Sequence, residues 1–173
     1  MMRRAILTTA LLVAAIVSPT TAGPQKVNFP SGYKAHVLYA TVDRPDNKTV
    51  RDLYASPEAA RLASPGQPLP DGTVLTMEVY KAKVDEKGEP VRDGSGRMIR
   101  TDELLGIFVM EKRRGWGSEY PETLRNGEWE YARFTAGGQP QPGFDAKPCF
   151  QCHKPMSGQD FVFSLPKLTG RRP

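Results

Sequence analysis

Cysteine and histidine are scarce in this chain, which has two of each among 173 residues. A structural zinc site needs about four ligands, usually grouped in pairs. Both cysteines stand near the C-terminus beside His153, and the other histidine is the distant His36. The composition therefore disfavours a zinc centre. A single disulfide stays open, because an oxidising compartment would permit one, but it would leave His153 without a role.

Long apolar runs are also missing after the first residues of the chain. No later stretch approaches the roughly 20 apolar residues of a membrane-spanning helix, so we expect no stable membrane insertion. The N-terminus has a positive Met1-Met2-Arg3-Arg4 segment, an apolar stretch from Ala5 to Val17, and small residues ending at Ala22. This order is typical of a secretory signal peptide. We predict that residues 1–22 are a cleaved signal peptide and that the mature protein is periplasmic, with an uncleaved anchor as the alternative.

A strong excess of charge is lacking too. The whole chain has 24 basic and 19 acidic residues, and the predicted signal peptide has two arginines and no acid, so the mature net charge is +3 (22 − 19). The basic residues are scattered, which does not favour nucleic acid as a partner. We interpret Lys112-Arg113-Arg114 and Arg171-Arg172 as solvated ends of elements, with a docking patch for a redox partner as the minority interpretation.

The scarce residues are concentrated in one motif, Cys149-Phe150-Gln151-Cys152-His153, which has the C-x-x-C-H pattern of c-type haem attachment. The spacing places the two thiols about one helical turn apart, where each can form a thioether with a haem vinyl group. His153 would then bind the iron. A thioredoxin-like redox pair would be expected near a βαβ pattern, and this pair follows a Pro/Gly-rich loop instead. We predict one covalently attached haem c, held by Cys149, Cys152 and His153.

The rest of the mature chain indicates one α+β domain, mainly an antiparallel sheet with a few short helices. We predict an irregular lead-in over residues 23–32 and a haem domain over residues 33–173. Capping signals predict short helices between about Thr49 and Ala63. Apolar alternation predicts a strand over Thr73 to Val84, and this strand forms a long hairpin with the apolar segment Leu104 to Lys112. A further strand is predicted over Gly127 to Thr135.

Several segments together resemble the cytochrome P-460 family. They are Pro70-Asp71-Gly72-Thr73-Val74-Leu75, the Gly-rich hairpin, Val109-Met110-Glu111-Lys112, Asn126-Gly127-Glu128-Trp129, and the C-x-x-C-H motif followed by Asp160-Phe161-Val162-Phe163. The resemblance spans most of residues 33–168. It implies a periplasmic, largely antiparallel β protein, commonly dimeric, with a c-type haem that has one histidine ligand and an open distal side. Its enzymes oxidise hydroxylamine, and its cytochromes c′-beta bind nitric oxide. Dimerisation of this chain stays open.

One position departs from the enzyme pattern that the resemblance implies. The hydroxylamine-oxidising members carry a Val-Lys-Glu sequence whose lysine is joined to the porphyrin, whereas this chain has Thr76-Met77-Glu78. A thioether cannot make the same bond. Lys81 shares the alternation face of Met77 but lies about 13 Å further along a strand. We therefore expect a haem without the cross-link, and Met77 as a cofactor-contacting residue.

Four other residues are candidates around the haem. The resemblance places Phe144 and Asp145 on the distal side, where Phe144 would limit access and Asp145 would accept a proton; a loop phenylalanine and a solvated aspartate are equally consistent with the sequence. Phe161 is interpreted as a haem-wall or core aromatic. Asp160 could orient His153 through its second ring nitrogen, or cap a helix.

Two functions follow from these features. One is binding or redox conversion of small nitrogen species, nitric oxide or hydroxylamine, at an open iron. As an enzyme the protein would also need an electron-accepting cytochrome as a partner. The other is periplasmic electron transfer by a six-coordinate haem, which would require Met77 or His36 on the iron.

Overall fold

A computed structural model describes residues 26–170 of the chain. The predicted signal peptide and Arg171-Arg172 lie outside these residues. The regular elements of residues 26–170 are, in chain order, β1 Val37–Arg44, β2 Thr49–Ala55, α1 Pro57–Leu62, β3 Val74–Ala82, β4 Arg100–Lys112, β5 Trp129–Phe134, α2 Lys147–His153 and α3 Leu165–Thr169. Short 3₁₀ helices occur at Tyr33–Ala35, Pro45–Asn47, Trp116–Glu119 and Lys154–Gln159.

The strands of the described chain form one antiparallel sheet in the order β1-β2-β3-β4-β5. Each strand pairs with its neighbour in sequence, so short connections are sufficient to build the sheet. The predicted β3–β4 hairpin is confirmed: Val74 pairs with Glu111 and Ala82 with Arg100. The predicted α+β class, a mainly antiparallel sheet with short helices, is likewise confirmed.

The prediction of helices between Thr49 and Ala63 is wrong for its first half. Residues Thr49–Ala55 are the strand β2, which pairs with β1 on one side and β3 on the other. Instead of taking part in a helix cap, Asp52 accepts a hydrogen bond from Thr41 Oγ1 across the sheet at 2.7 Å. The hydrogen bonds of β2 to strands on both sides stabilise it more than the local capping signal stabilises a helix. Local propensity is often overridden by tertiary contacts. The helix α1 begins at Pro57, after Ser56, as the Ser-Pro signal predicts.

The two faces of the sheet are covered by different parts of the chain. The first described residues cover one face, which we call the closed face: Val27 and Tyr33 are buried with Ile107, Val109 and other side chains in one hydrophobic cluster. Residues 26–32 form neither helix nor strand, yet they are part of this packing. The opposite face, which we call the cavity face, is covered at one end by α2 and α3. The core there is formed by Trp129, Tyr131, Phe150, Leu165 and Leu168, with four other buried residues.

No helix within residues 26–170 has the length and apolar character needed to cross a membrane.

Candidate functional site

The C-x-x-C-H motif lies on α2, which is fixed to the core by Phe150. This side chain is buried, with its ring centroid 4.8 Å from that of Tyr131 and 4.6 Å from that of Tyr120. Asn126 Nδ2 also donates to the Phe150 carbonyl at 2.9 Å. Phe150, the residue after the first cysteine, therefore anchors the motif, and the two cysteines are held about one turn apart.

The two cysteines are unbridged and differ in exposure: Cys149 is half-buried and Cys152 is exposed. Burial raises the pKa of the Cys149 thiol to about 11, and the neighbouring Cys152 and Asp145 add to the effect. Redox C-x-x-C pairs show the opposite behaviour, because their reactive thiol has a lowered pKa. Cys149 therefore lacks the activated thiolate of a dithiol oxidoreductase.

His153 is held in one orientation by its ring nitrogen Nδ1, which lies 2.7 Å from the carbonyl oxygen of Phe161. A carbonyl can only accept, so Nδ1 carries the proton and the Nε2 lone pair is available to a metal. The ring centroid lies 5.0 Å from those of Tyr131 and Phe163. Burial lowers the pKa of His153, although the hydrogen bond with Phe161 opposes the effect. The side chain is thus a neutral, oriented imidazole, the form that binds iron.

The partner of His153 is a backbone carbonyl, and the interpretation of Asp160 as its partner is wrong. The Asp160 carboxylate accepts from Lys112 Nζ at 2.8 and 3.0 Å and from the Leu69 backbone N–H at 2.9 Å. Asp160 and Phe161 both have left-handed φ angles, 49° and 60°. This turn presents the Phe161 carbonyl to His153. The interpretation of Lys112 as a solvated residue is also wrong, because its side chain is only 13% exposed and pairs with Asp160.

The ring of Phe161 packs on the core instead of on the His153 ring. A Cβ at Gly127 would lie 3.2 Å from Phe161 Cε2, and Gly127 has a positive φ of 57°. A glycine at this position admits the aromatic ring and the left-handed backbone together. Phe161 therefore serves the site through its backbone oxygen and by fixing the turn.

A cavity of about 860 Å³ separates the motif from the cavity face of the sheet. One wall is formed by α2, including Cys149, Cys152 and His153, and by residues that follow Phe161. The floor is mostly apolar, with side chains from β2, β3 and β4: Leu53, Leu75, Met77, Val79, Phe108 and Met110. Basic side chains also line it, namely Arg44, Arg51, Arg133 and Lys167. Such a volume with an apolar lining suits a bound organic cofactor.

The donor set and the cavity fit a haem. Two thiols and one oriented imidazole lie on a single wall, where C-x-x-C-H attachment requires them. The floor offers an apolar surface to a porphyrin ring, and the arginines offer cations to its acidic side chains. Within residues 26–170, no group of three or more His, Cys, Asp and Glu side chains converges as metal ligands would.

The structure brings some of the predicted site residues together and leaves others apart. Met77 lines the cavity with Cys149, Cys152 and His153. Phe144, half-buried, and Asp145, exposed, are not among the lining residues. Asp145 Oδ1 instead accepts the Lys147 backbone N–H at 2.9 Å, at the start of α2. A role for Asp145 as proton acceptor stays a prediction.

The two alternative positions weighed from the sequence also lie away from the cavity lining. Lys81, which shares the alternation face of Met77, is exposed and forms a 3.1 Å ion pair with Glu103. His36 follows the 3₁₀ helix at Tyr33–Ala35, and its Nδ1 is buried without a hydrogen-bond partner. Neither residue lines the cavity that His153 lines.

Sequence reasoning missed most of the floor and all the basic lining residues. Phe108 and Met110 stand in the unbroken apolar run Ile107-Phe108-Val109-Met110. Ile107 and Val109 are buried, while Phe108 and Met110 line the cavity, so both faces of β4 are apolar and no alternation is visible. Arg51 was missed because its segment was predicted to be helical, whereas it is the strand β2. The available signal was the pairing of β2 with β3, which puts Arg51 opposite Val79 and Leu53 opposite Met77.

Comparison with known protein families agrees with this geometry. The family model described as Cytochrome P460 matches residues 30–164, a range that includes all of β1 to β5 and α2. A search of curated proteins found no match. Since the matched range covers most of the chain and contains the complete C-x-x-C-H motif, the chain belongs to the cytochrome P460 family and is a c-type haem protein.

Proposed function

We propose that this protein is an exported, periplasmic cytochrome with one covalently bound haem, whose distal side is open to small nitrogen species. Cys149 and Cys152 would hold the haem through thioethers, and His153 Nε2 would bind the iron. A haem iron with a vacant position supplies a binding site for nitric oxide and a redox centre for hydroxylamine. The observation that carries the proposal is the cavity, which has the three motif side chains on one wall and an apolar floor opposite.

The proposed haem would lie between His153 on one side and the apolar cavity floor on the other. The Phe161 carbonyl fixes the tautomer of His153, so that the imidazole is presented in one orientation. On the floor, Leu53, Met77 and Phe108 lie in one row across β2, β3 and β4. These side chains exclude water and favour small, weakly polar ligands.

Nitric oxide binding is favoured over hydroxylamine oxidation because of Met77. A thioether at this position cannot form the lysine–porphyrin bond that the family resemblance associates with the oxidising enzymes. Lys81 is no substitute, since it is exposed and paired with Glu103. An electron-accepting cytochrome would be a partner only if the protein is an enzyme. We do not expect nucleic acid as a partner, and a homodimer is the assembly that the family resemblance suggests.

Electron transfer by a six-coordinate haem is the second candidate, and one observation favours it. Met77 and Met110 both line the cavity, and methionine sulfur can bind haem iron. Methionine on an apolar strand face is more often packing material, which makes this candidate the weaker one. It predicts a low-spin ferrous haem that resists nitric oxide, whereas the open site predicts binding.

The test is a comparison of ligand binding and turnover between wild type and Met77→Lys, with Met77→Leu as the matched control. Holoprotein matured in a host that attaches c-type haem is titrated with nitric oxide and assayed for hydroxylamine oxidation. Wild type and Met77→Leu are expected to bind nitric oxide and to show no hydroxylamine turnover above free haem. Hydroxylamine turnover by wild type above that of free haem, at a rate equal to or above that of Met77→Lys, would contradict the binding function.

A further inference from the structure

Arg51 is a partly buried cation on the cavity face of β2, without a carboxylate partner within residues 26–170. Its Nε is buried and makes no hydrogen bond. With the Asn47 amide turned so that its oxygen faces Arg51, Nη2 donates to that oxygen at 3.1 Å. Desolvation of a guanidinium is costly unless an anion compensates for it.

The neighbouring charges do not supply that anion. Arg44, the last residue of β1, holds Asp46 by two hydrogen bonds, Nε to Oδ1 at 2.8 Å and Nη2 to Oδ2 at 2.7 Å. Asp46 therefore acts on Arg51 only from a distance. The pKa of Arg51 is lowered, first by burial and then by repulsion from Arg44. Asp46 pairs with Arg44 and leaves Arg51 without a carboxylate partner in residues 26–170, so a net positive charge stays at this end of the cavity.

Arg133, which lines the cavity from β5, provides an internal comparison. Its Nε is also buried and unpaired, but its guanidinium carbon lies 5.1 Å from the centroid of the Phe108 ring. The face of an aromatic ring compensates for part of the desolvation of a cation. Arg51 differs because its environment in the described chain contains an amide, a second arginine and the cavity.

We propose that Arg51, supported by Arg44, binds a propionate of the haem. This inference rests on the proposed haem site and adds the residue that orients the acidic edge of the cofactor. A guanidinium presents parallel N–H donors that match a carboxylate, and Arg51 lines the cavity with a buried Nε that makes no hydrogen bond in residues 26–170. The carboxylate would neutralise the charge that Asp46 leaves uncompensated. Arg51 is thus a positioning residue for the cofactor.

The experiment compares Arg51→Met, Arg51→Lys and Arg61→Met in the holoprotein. Arg61, on α1, is an exposed arginine with a side chain 69% accessible, and it serves as the control for loss of one positive charge. The measurements are the reduction potential and the resonance Raman spectrum in the region of the propionate bending modes. Neither requires turnover or an identified substrate.

Arg51→Met is expected to lower the ferrous-to-ferric ratio at a fixed electrode potential about tenfold, because a cation near the haem favours the reduced state. The propionate modes should shift in the same variant. Arg51→Lys, which keeps the charge and loses the fork geometry, should change the ratio less than about threefold while still shifting the propionate modes. Arg61→Met should change neither measurement.

Three results would overturn the inference. Unchanged potential and propionate modes in Arg51→Met would make the residue structural only. A changed nitric oxide affinity with unchanged propionate modes would assign Arg51 to the ligand side. If Arg51→Met does not fold, unchanged modes in Arg51→Lys would have the same meaning. Failure to attach haem to the wild-type protein is a separate outcome, because it would contradict the proposed function itself.

Discussion

One charged side chain on each face of the sheet shows how the two faces differ. On the closed face, Glu78 is fully buried, yet it accepts hydrogen bonds from Tyr33 at 2.5 Å and Tyr54 at 3.0 Å and pairs with Lys34 at 2.5 Å. On the cavity face, Arg51 has no ion-pair partner in residues 26–170. Adjacent positions of one strand, Met77 and Glu78, thus belong to different environments. The buried carboxylate of the closed face is therefore compensated by protein groups, whereas the guanidinium of Arg51 on the cavity face is not.

Loss of both motif cysteines is expected to have the largest effect, and it acts on the cavity face alone. Cys149→Ser combined with Cys152→Ser should abolish covalent haem attachment, because a hydroxyl cannot replace the thiol in a thioether. Mass spectrometry of the denatured protein measures the haem adduct. Tyr54→Phe, a matched change on the closed face, should retain the adduct. A covalent adduct in the double variant would refute the assignment of these cysteines.

Removal of the buried carboxylate tests the closed face. Glu78→Ala should lower the free energy of unfolding by about 3 kcal/mol or more, because Lys34 loses its counter-charge and two tyrosine hydroxyls lose their acceptor. Urea unfolding followed by tryptophan fluorescence measures it. Glu103→Ala, which removes the partner of exposed Lys81, should cost less than about 1 kcal/mol. If the haem spectrum of Glu78→Ala differs from that of wild type, the two faces are not independent.

The Lys112–Asp160 pair connects protein stability to His153, the proposed ligand of the iron. Asp160→Asn should lower the free energy of unfolding by about 2 kcal/mol, because Lys112 keeps a neutral partner only. The loosened turn should also weaken the bond between His153 Nδ1 and the Phe161 carbonyl, which makes the imidazole a poorer electron donor. The reduction potential should therefore rise. If Asp160→Asn loses stability but keeps the wild-type reduction potential, the turn does not need the Lys112–Asp160 ion pair to orient His153.

Acid should remove the contribution of the Glu78 carboxylate to the stability of the fold. This is the smallest of the expected effects. Burial raises the pKa of Glu78, but the hydrogen bonds from Lys34, Tyr33 and Tyr54 outweigh it and hold the pKa below its ordinary value of 4.5. A carboxyl with a lowered pKa in the folded state stabilises the fold above the unfolded pKa, and this contribution is lost as pH falls through the folded value. The stability difference between wild type and Glu78→Gln should therefore be constant near neutral pH and shrink below about pH 4.5. A stability difference that grows on acidification would contradict a lowered pKa of Glu78 in the folded state.

The fold could be predicted from sequence where the pattern is local. The alternation from Leu75 to Val79 and the turn residues after Asp85 specify the β3–β4 hairpin, because strand period and turn chemistry are properties of short segments. The strand β2 could not be predicted in the same way. Its residues Val50, Asp52 and Leu53 are buried on both faces by distant parts of the chain, so no alternation is visible.

The candidate site, too, could be predicted only where its residues form a local motif. Cys149, Cys152 and His153 follow from a motif whose spacing is fixed by one helical turn. The partner of His153 did not follow, because a backbone carbonyl leaves no mark in the sequence. Arg51 is likewise identified only by the register of β2 against β3, which places it over the cavity beside Val79.

The absorption spectrum of the ferrous holoprotein tests the central claim most directly. An unmodified haem c with His153 as its only protein ligand predicts an ordinary five-coordinate, high-spin spectrum. A Soret band shifted strongly to the red would contradict the claim by showing a modified porphyrin, and hydroxylamine oxidation would become the leading function despite Met77. A six-coordinate, low-spin spectrum would contradict it in the other direction and assign a methionine of the cavity floor to the iron.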